Sequence, residues 1–150
     1  MLYISVLDIH AFGMMSAAVL FLAVELLLFA SGGEGVKMAR YTLSASRIGN
    51  LLAMVGMLAG IALVYLGGWP LTTPWLLLSF ALIAAMMIVS RRFVQPWQAK
   101  FQAAVAGVST PDLAALAGDG RARVGRVAVI ALFVLVAAVM MLKPDLAPMG

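Results

Sequence analysis

The sequence predicts an all-α, integral membrane four-helix up-and-down bundle with both termini on the extracytoplasmic side, and three observations predict it. Of 150 residues, 65% are hydrophobic and 11% charged, with a mean hydropathy of +1.10, a balance that soluble domains of this length do not carry. Four apolar segments, at about 3–31, 48–68, 73–90 and 126–142, each approach the roughly 20 helical residues needed to cross a hydrocarbon layer about 30 Å thick. Nine of the ten Lys and Arg residues lie between spans one and two or between spans three and four, and only Lys143 lies elsewhere. The positive-inside rule makes that face cytoplasmic, so the chain reads as a multi-pass protein of a bacterial cytoplasmic (inner) membrane.

The whole chain, 1–150, reads as a single four-span transmembrane domain, with 91–125 as a cytoplasmic loop that carries a short helix. Span one, "DIHAFGMMSAAVLFLAVELLLFASGG", is read as retained: no Lys or Arg precedes it, and its apolar run is too long for a secretory signal. The following "SGGEGVKMARYTLSASR" is expected to be a flexible turn leading into a short interfacial stretch. Span two places Gly49, Ala53, Gly56, Gly60 and Gly67 on one stripe. Small residues in such a stripe let another helix approach backbone to backbone, either within the chain or as a dimer face.

Span two ends in "GGWPLTTPW", a tight outer turn with Trp69 and Trp75 at headgroup depth. Span three carries no charge and gives way to "SRRFVQPWQAKFQ", where basic residues alternate with Phe93, Trp97 and Phe101 as in an interfacial helix. In "STPDLAALAGDG", Thr110 is suited to cap a short helix with Pro111 at its first position, Asp112 in its first turn and Gly118 at its end. Span four is uniformly apolar.

The absence of cysteine excludes disulfides, thiolate metal sites and thiol catalysis. The net charge of +4 follows from topology and anionic headgroups, with no nucleic acid required. There is no phosphate-cradling glycine loop, His-x-x-x-His pair or nucleophile elbow.

Chemistry is therefore sought at ionisable residues inside the spans, which are costly to insert and hence candidate sites. Asp8, His10 and Glu25 lie in span one, and His10 is the sole histidine. Fifteen residues separate His10 from Glu25, about 22 Å along a helix, too far for one acid–base pair. Met14, Ala17, Phe21 and Glu25 fall within about 60° of His10 on a helical wheel, a face expected to look into the bundle, whereas Asp8 lies about 160° away.

His10 has two readings: a neutral imidazole bonded to a carbonyl or hydroxyl of a neighbouring helix, or an axial ligand to haem b, with Met14 one turn on as a further haem contact. Glu25 is expected to pair with Arg47, Arg91 or Arg92 on the inner side, or else to handle protons. Each span carries two methionines. They read as gap-filling side chains, with Cu(I) binding at Met54-x-x-Met57 as the sharper alternative.

A histidine near residue ten, a basic inner loop, a Gly-rich second span ending in Gly67-Gly68-Trp69, and Trp75 opening the third span together resemble a family of small bacterial four-span predicted integral membrane proteins of unknown function. That family is distantly similar to the copper-resistance D proteins and to HemJ-type protoporphyrinogen oxidases. The resemblance implies a four-helix bundle, haem association at His10 and, for the oxidase branch, oxidation of a porphyrinogen. This chain has no lysine in the third span after Trp75 and no histidine after His10, which places it nearer the uncharacterised branch.

The expected function is that of a non-enzymatic accessory or partner-binding subunit of a membrane complex. Its expected partners are the lipid bilayer and a membrane protein or second copy, docked through Gly49, Gly56, Gly60 and the basic residues near Glu25. The alternative is a haem b-binding redox protein using His10.

Overall fold

In the computed structural model, which describes residues 1–31 and 35–142, helices occupy nearly all of the described chain. They are α1 (Leu2–Ser31), α2 (Val36–Leu66), α3 (Pro74–Val89), α4 (Gln95–Ala106), α5 (Thr110–Ala117) and α6 (Gly120–Leu142). A π-helical turn, Ser90–Val94, joins α3 to α4 without a break, so Pro74–Ala106 runs as one apolar rod. Four helical stretches are long and apolar enough to cross a membrane. The protein is an all-α, four-helix membrane bundle. Helix is the expected form because hydrocarbon offers no hydrogen-bond partner to the backbone, and a helix satisfies its own N–H and C=O groups.

The bundle consists of two antiparallel hairpins. α1 packs on α2 and α3 packs on α6, with α1 and α6 in contact between them, whereas α2 and α3 hardly meet. The turn between α2 and α3 carries Trp69 and Trp75 edge to face, 5.5 Å between centroids. Nine of the basic residues gather at the opposite end, hereafter the basic end; Lys143 and Glu34 lie outside the described residues.

Side chains on the outward faces of the spans are large and apolar, among them Phe12, Val19, Leu26, Leu58, Ile88 and Val134. Exposed apolar belts of this kind mark a lipid-facing surface. The densest core lies instead at the basic end, where Val24, Leu28, Ala39, Trp97, Phe101, Leu113 and Ala117 pack together. The hydrophobic effect supplies a driving force where helices leave the hydrocarbon, whereas within lipid association depends on close packing and polar contacts. Trp97 stacks on Phe101 at 4.9 Å and donates its indole N–H to the Leu116 carbonyl at 2.8 Å, tying α4 to α5.

Several expected boundaries move. The helices run beyond the expected spans: α2 begins at Val36 where the span was expected from about 48, the α3–α4 rod continues past 90 to Ala106, and α6 starts at Gly120 where the span was expected from about 126. Polar residues ended the expected spans because they leave hydrocarbon there, but leaving the membrane does not end a helix. Residues 32–34 of the expected flexible turn are outside the described residues. The short helix after Gly107 is present, but Ser109 rather than Thr110 precedes it, with the Ser109 hydroxyl bonded to Asp112 Oδ2 at 2.5 Å.

Candidate functional site at the basic end of the bundle

The site starts from two charges that enter the bundle from different helices. Glu25 on α1 and Arg126 on α6 form a two-armed ion pair: Arg126 Nε donates to Oε1 and Nη2 to Oε2. The side chains are 14% and 6% exposed, respectively. The guanidinium lies over the Trp97 ring at 4.1 Å, a cation–π contact. Its other nitrogen, Nη1, is buried with no hydrogen-bond partner among the described residues. Leaving such a charged donor unmet costs about 1–3 kcal/mol or more.

Arg126 and Glu25 line a cavity of about 210 Å³ together with Ser46, Asn50, Ser90, Gln95 and Gln98. Gln98 donates to the Ser46 hydroxyl at 2.8 Å, closing the wall between α4 and α2. A second chamber of about 290 Å³ adjoins it and shares Phe21, Asn50, Ser90, Gln95 and Val129. Its remaining walls are mostly apolar and rich in methionine: Met14, Met54, Met57, Met86 and Met87, with Arg91 at the charged end. The chamber at the basic end is the more polar of the two, and the one deeper in the bundle is more strongly apolar. Five methionines taken from three helices meet here, which depth estimates along single helices did not foresee.

Pro96 explains why Ser90 and Gln95 both reach the cavity. Proline has no N–H and its ring collides with the carbonyl four residues earlier, here Arg92, so a regular α-helix cannot pass through it unchanged. The chain widens by one residue instead: Gln95 N–H bonds to the Ser90 carbonyl, five positions back. Such π-turns accumulate at functional sites, and this one closes between Ser90 and Gln95, two of the five residues that line both chambers. Pro96 inside a helical pattern was the available signal for it.

Glu25 thus pairs with Arg126 and not with the expected Arg47, Arg91 or Arg92, all of which are exposed. Each of those arginines is on the correct side of the membrane. The helix-to-helix contact of α1 with α6 decides among them.

His10 lies at the other end of α1. Its Nδ1 bonds to the Gly56 carbonyl at 2.6 Å, which requires the tautomer protonated at Nδ1. The ring rests on Gly60, where a Cβ would come within 2.9 Å of Cε1 and 3.0 Å of Nδ1. A Cβ at Gly13 would meet the Leu52 carbonyl oxygen at 3.2 Å, and one at Gly49 the Phe21 ring at 3.0 Å. Gly49, Gly56 and Gly60 of the small-residue stripe are therefore packed on α1 within the chain.

The space beside His10 is about 110 Å³, well under the roughly 300 Å³ at which ligand pockets begin. Met14 packs its thioether against Gly56 and belongs to the methionine-lined chamber, not to the His10 cavity. The expected haem pair of His10 and Met14 is thus divided between two spaces. Asp8 is exposed.

No family model, curated protein or solved structure matches this chain.

Proposed function

We propose that the chain is a small non-enzymatic integral membrane protein that works by binding, as an accessory or partner-holding subunit of a membrane complex does. Its site is the pair of chambers beside Glu25 and Arg126. The observation that carries this reading is the cavity lined by Glu25 and Arg126, the latter with its Nη1 buried and without a hydrogen-bond partner among the described residues. A binding protein has a use for such a donor, because an occupant supplies the missing acceptor.

The other side chains at the site do not assemble into catalysis. Glu25 is held by Arg126. The surrounding serines and amides suit recognition rather than bond breaking. The basic end faces the cytoplasm of a bacterial inner membrane on this reading, in keeping with the positive-inside rule.

Native mass spectrometry of protein purified in mild detergent tests the reading. The wild type is expected to carry a small-molecule adduct, and Ala53→Phe, which fills the deeper chamber, is expected to lose it. An adduct-free wild type, with none regained on adding membrane lipids, would overturn the proposal.

A further inference from the structure

We infer that the two chambers hold the anionic head and one hydrocarbon chain of a membrane amphiphile, taken from the bilayer through the gap between α2 and α3. The inference rests on the binding role proposed above and names the ligand class.

Charge sets the head. Arg126 and Arg91 contribute two positive charges to the lining and Glu25 one negative charge, so the site carries a surplus of one positive charge. Arg91 has no ion-pair partner among the described residues, and Arg126 keeps Nη1 unpartnered. A single carboxylate or phosphate balances that surplus and accepts from both guanidinium groups, which bind oxyanions strongly. Asn50, Ser90 and Gln95 add neutral donors around the same space. A neutral head would fill the acceptor role but leave the charge uncompensated.

Shape sets the tail. The deeper chamber, about 290 Å³, sits at the lower end of ligand-pocket volumes of about 300–1,000 Å³, so it has room for one chain rather than two. Methionine is flexible and polarizable and conforms to a chain with no fixed shape.

The fold sets the route. α2 packs on α1 and α3 on α6, leaving α2 and α3 hardly in contact. Met54 and Met87, one from each helix, line the chamber and are exposed at this seam. An amphiphile reaches the chamber sideways from the lipid, with its head already at the depth of the basic end.

Two sources share this chemistry: a free fatty acid, and a phospholipid that leaves its second chain in the bilayer. Titrating the purified protein with oleate, oleic acid methyl ester, phosphatidylglycerol and diacylglycerol, with bound mass read by native mass spectrometry, separates them. Oleate or phosphatidylglycerol is expected to bind saturably. The methyl ester and diacylglycerol, which keep the chains but lack the charge, are expected to bind at least about tenfold more weakly, the loss of one charge-assisted contact. Arg91→Gln is expected to weaken binding by a similar factor and Ala53→Phe to abolish it, and neither disturbs the Glu25–Arg126 pair. The double variant Glu25→Gln with Arg126→Gln keeps a neutral pair and the Arg91 charge, and is expected to weaken binding by about the same factor through loss of the Arg126 donor.

Equal binding of oleate and its methyl ester would overturn the inference, as would binding that survives Ala53→Phe. A neutral lipid found in the wild-type chambers, or a helix of another protein seated there, would also overturn it while leaving the binding role intact. Chambers that take up none of the four probes and carry no adduct would sink both.

Discussion

Glu25 and Arg126, 101 positions apart in the chain, meet as a two-armed ion pair beside the Trp97 ring. The pair holds α1 against α6, one of the contacts that join the two hairpins. Removing one partner of a buried pair leaves a charge without compensation, whereas replacing both with apolar residues removes the problem. Glu25→Leu or Arg126→Leu alone is therefore expected to lower stability by about 3–5 kcal/mol, and the double variant to recover most of that loss. Unfolding in detergent measures all three. Full additivity of the single losses would show that the two side chains do not act together.

Substitution of Arg47, Arg91 or Arg92 by Leu is expected to change stability by no more than about 0.5 kcal/mol, as exposed positions usually do. A large loss at any of them in the same unfolding assay would mean that Glu25 changes partner.

At the far end of α1, the His10 ring occupies the space that a side chain on Gly60 would need. Gly60→Ala is expected to push the imidazole off the Gly56 carbonyl and to cost about 1–3 kcal/mol, the range for overpacking. Gly120→Ala, where a Cβ meets nothing within 4 Å, serves as the tolerated control. Comparable melting of the two variants would contradict the packing of α1 on α2.

Trp97→Phe keeps an aromatic ring beside Phe101 but removes the indole donor to the Leu116 carbonyl, which keeps the Asp119 N–H, an expected loss of about 1 kcal/mol. Trp97→Leu also removes the ring beneath Arg126 and is expected to cost more. An identical effect from both would assign the role of Trp97 to bulk alone.

Protein made in cells supplied with haem is expected to show no Soret band, because His10 Nδ1 is bonded to the Gly56 carbonyl and Met14 lines a different space. A band in the wild type that His10→Ala removes would reverse that conclusion. Reporter fusions after Gly35 and Ala117 are expected to report cytoplasm and one after Thr72 the outside; the opposite pattern would invert the bundle.

The helical class and the four spans could be read from composition and segment length, since lipid leaves the backbone little choice but helix. The stripe of Gly49, Gly56 and Gly60 could be read as a packing surface because small side chains recur at helical spacing. Depth was readable as well: it separated His10 from Glu25 and placed Glu25 among the arginines. Which arginine Glu25 takes, and whether that stripe faces a helix of its own chain, depend on how each helix is rotated and which helices are neighbours. No local pattern encodes those relations.

The same limit hid the chambers. Met14, Met54 and Met86 are unrelated along the chain, and they converge only because α2 and α3 stand apart while α1 and α6 touch. Pro96 was visible in the sequence, but whether it would end the helix or widen it was settled by α3 and the π-turn packing along α6 while α4 packs on α5. Local chemistry sufficed for the spans because each residue meets lipid alone, whereas the Arg126 site is made by contacts between distant segments and exists only once the helices have packed.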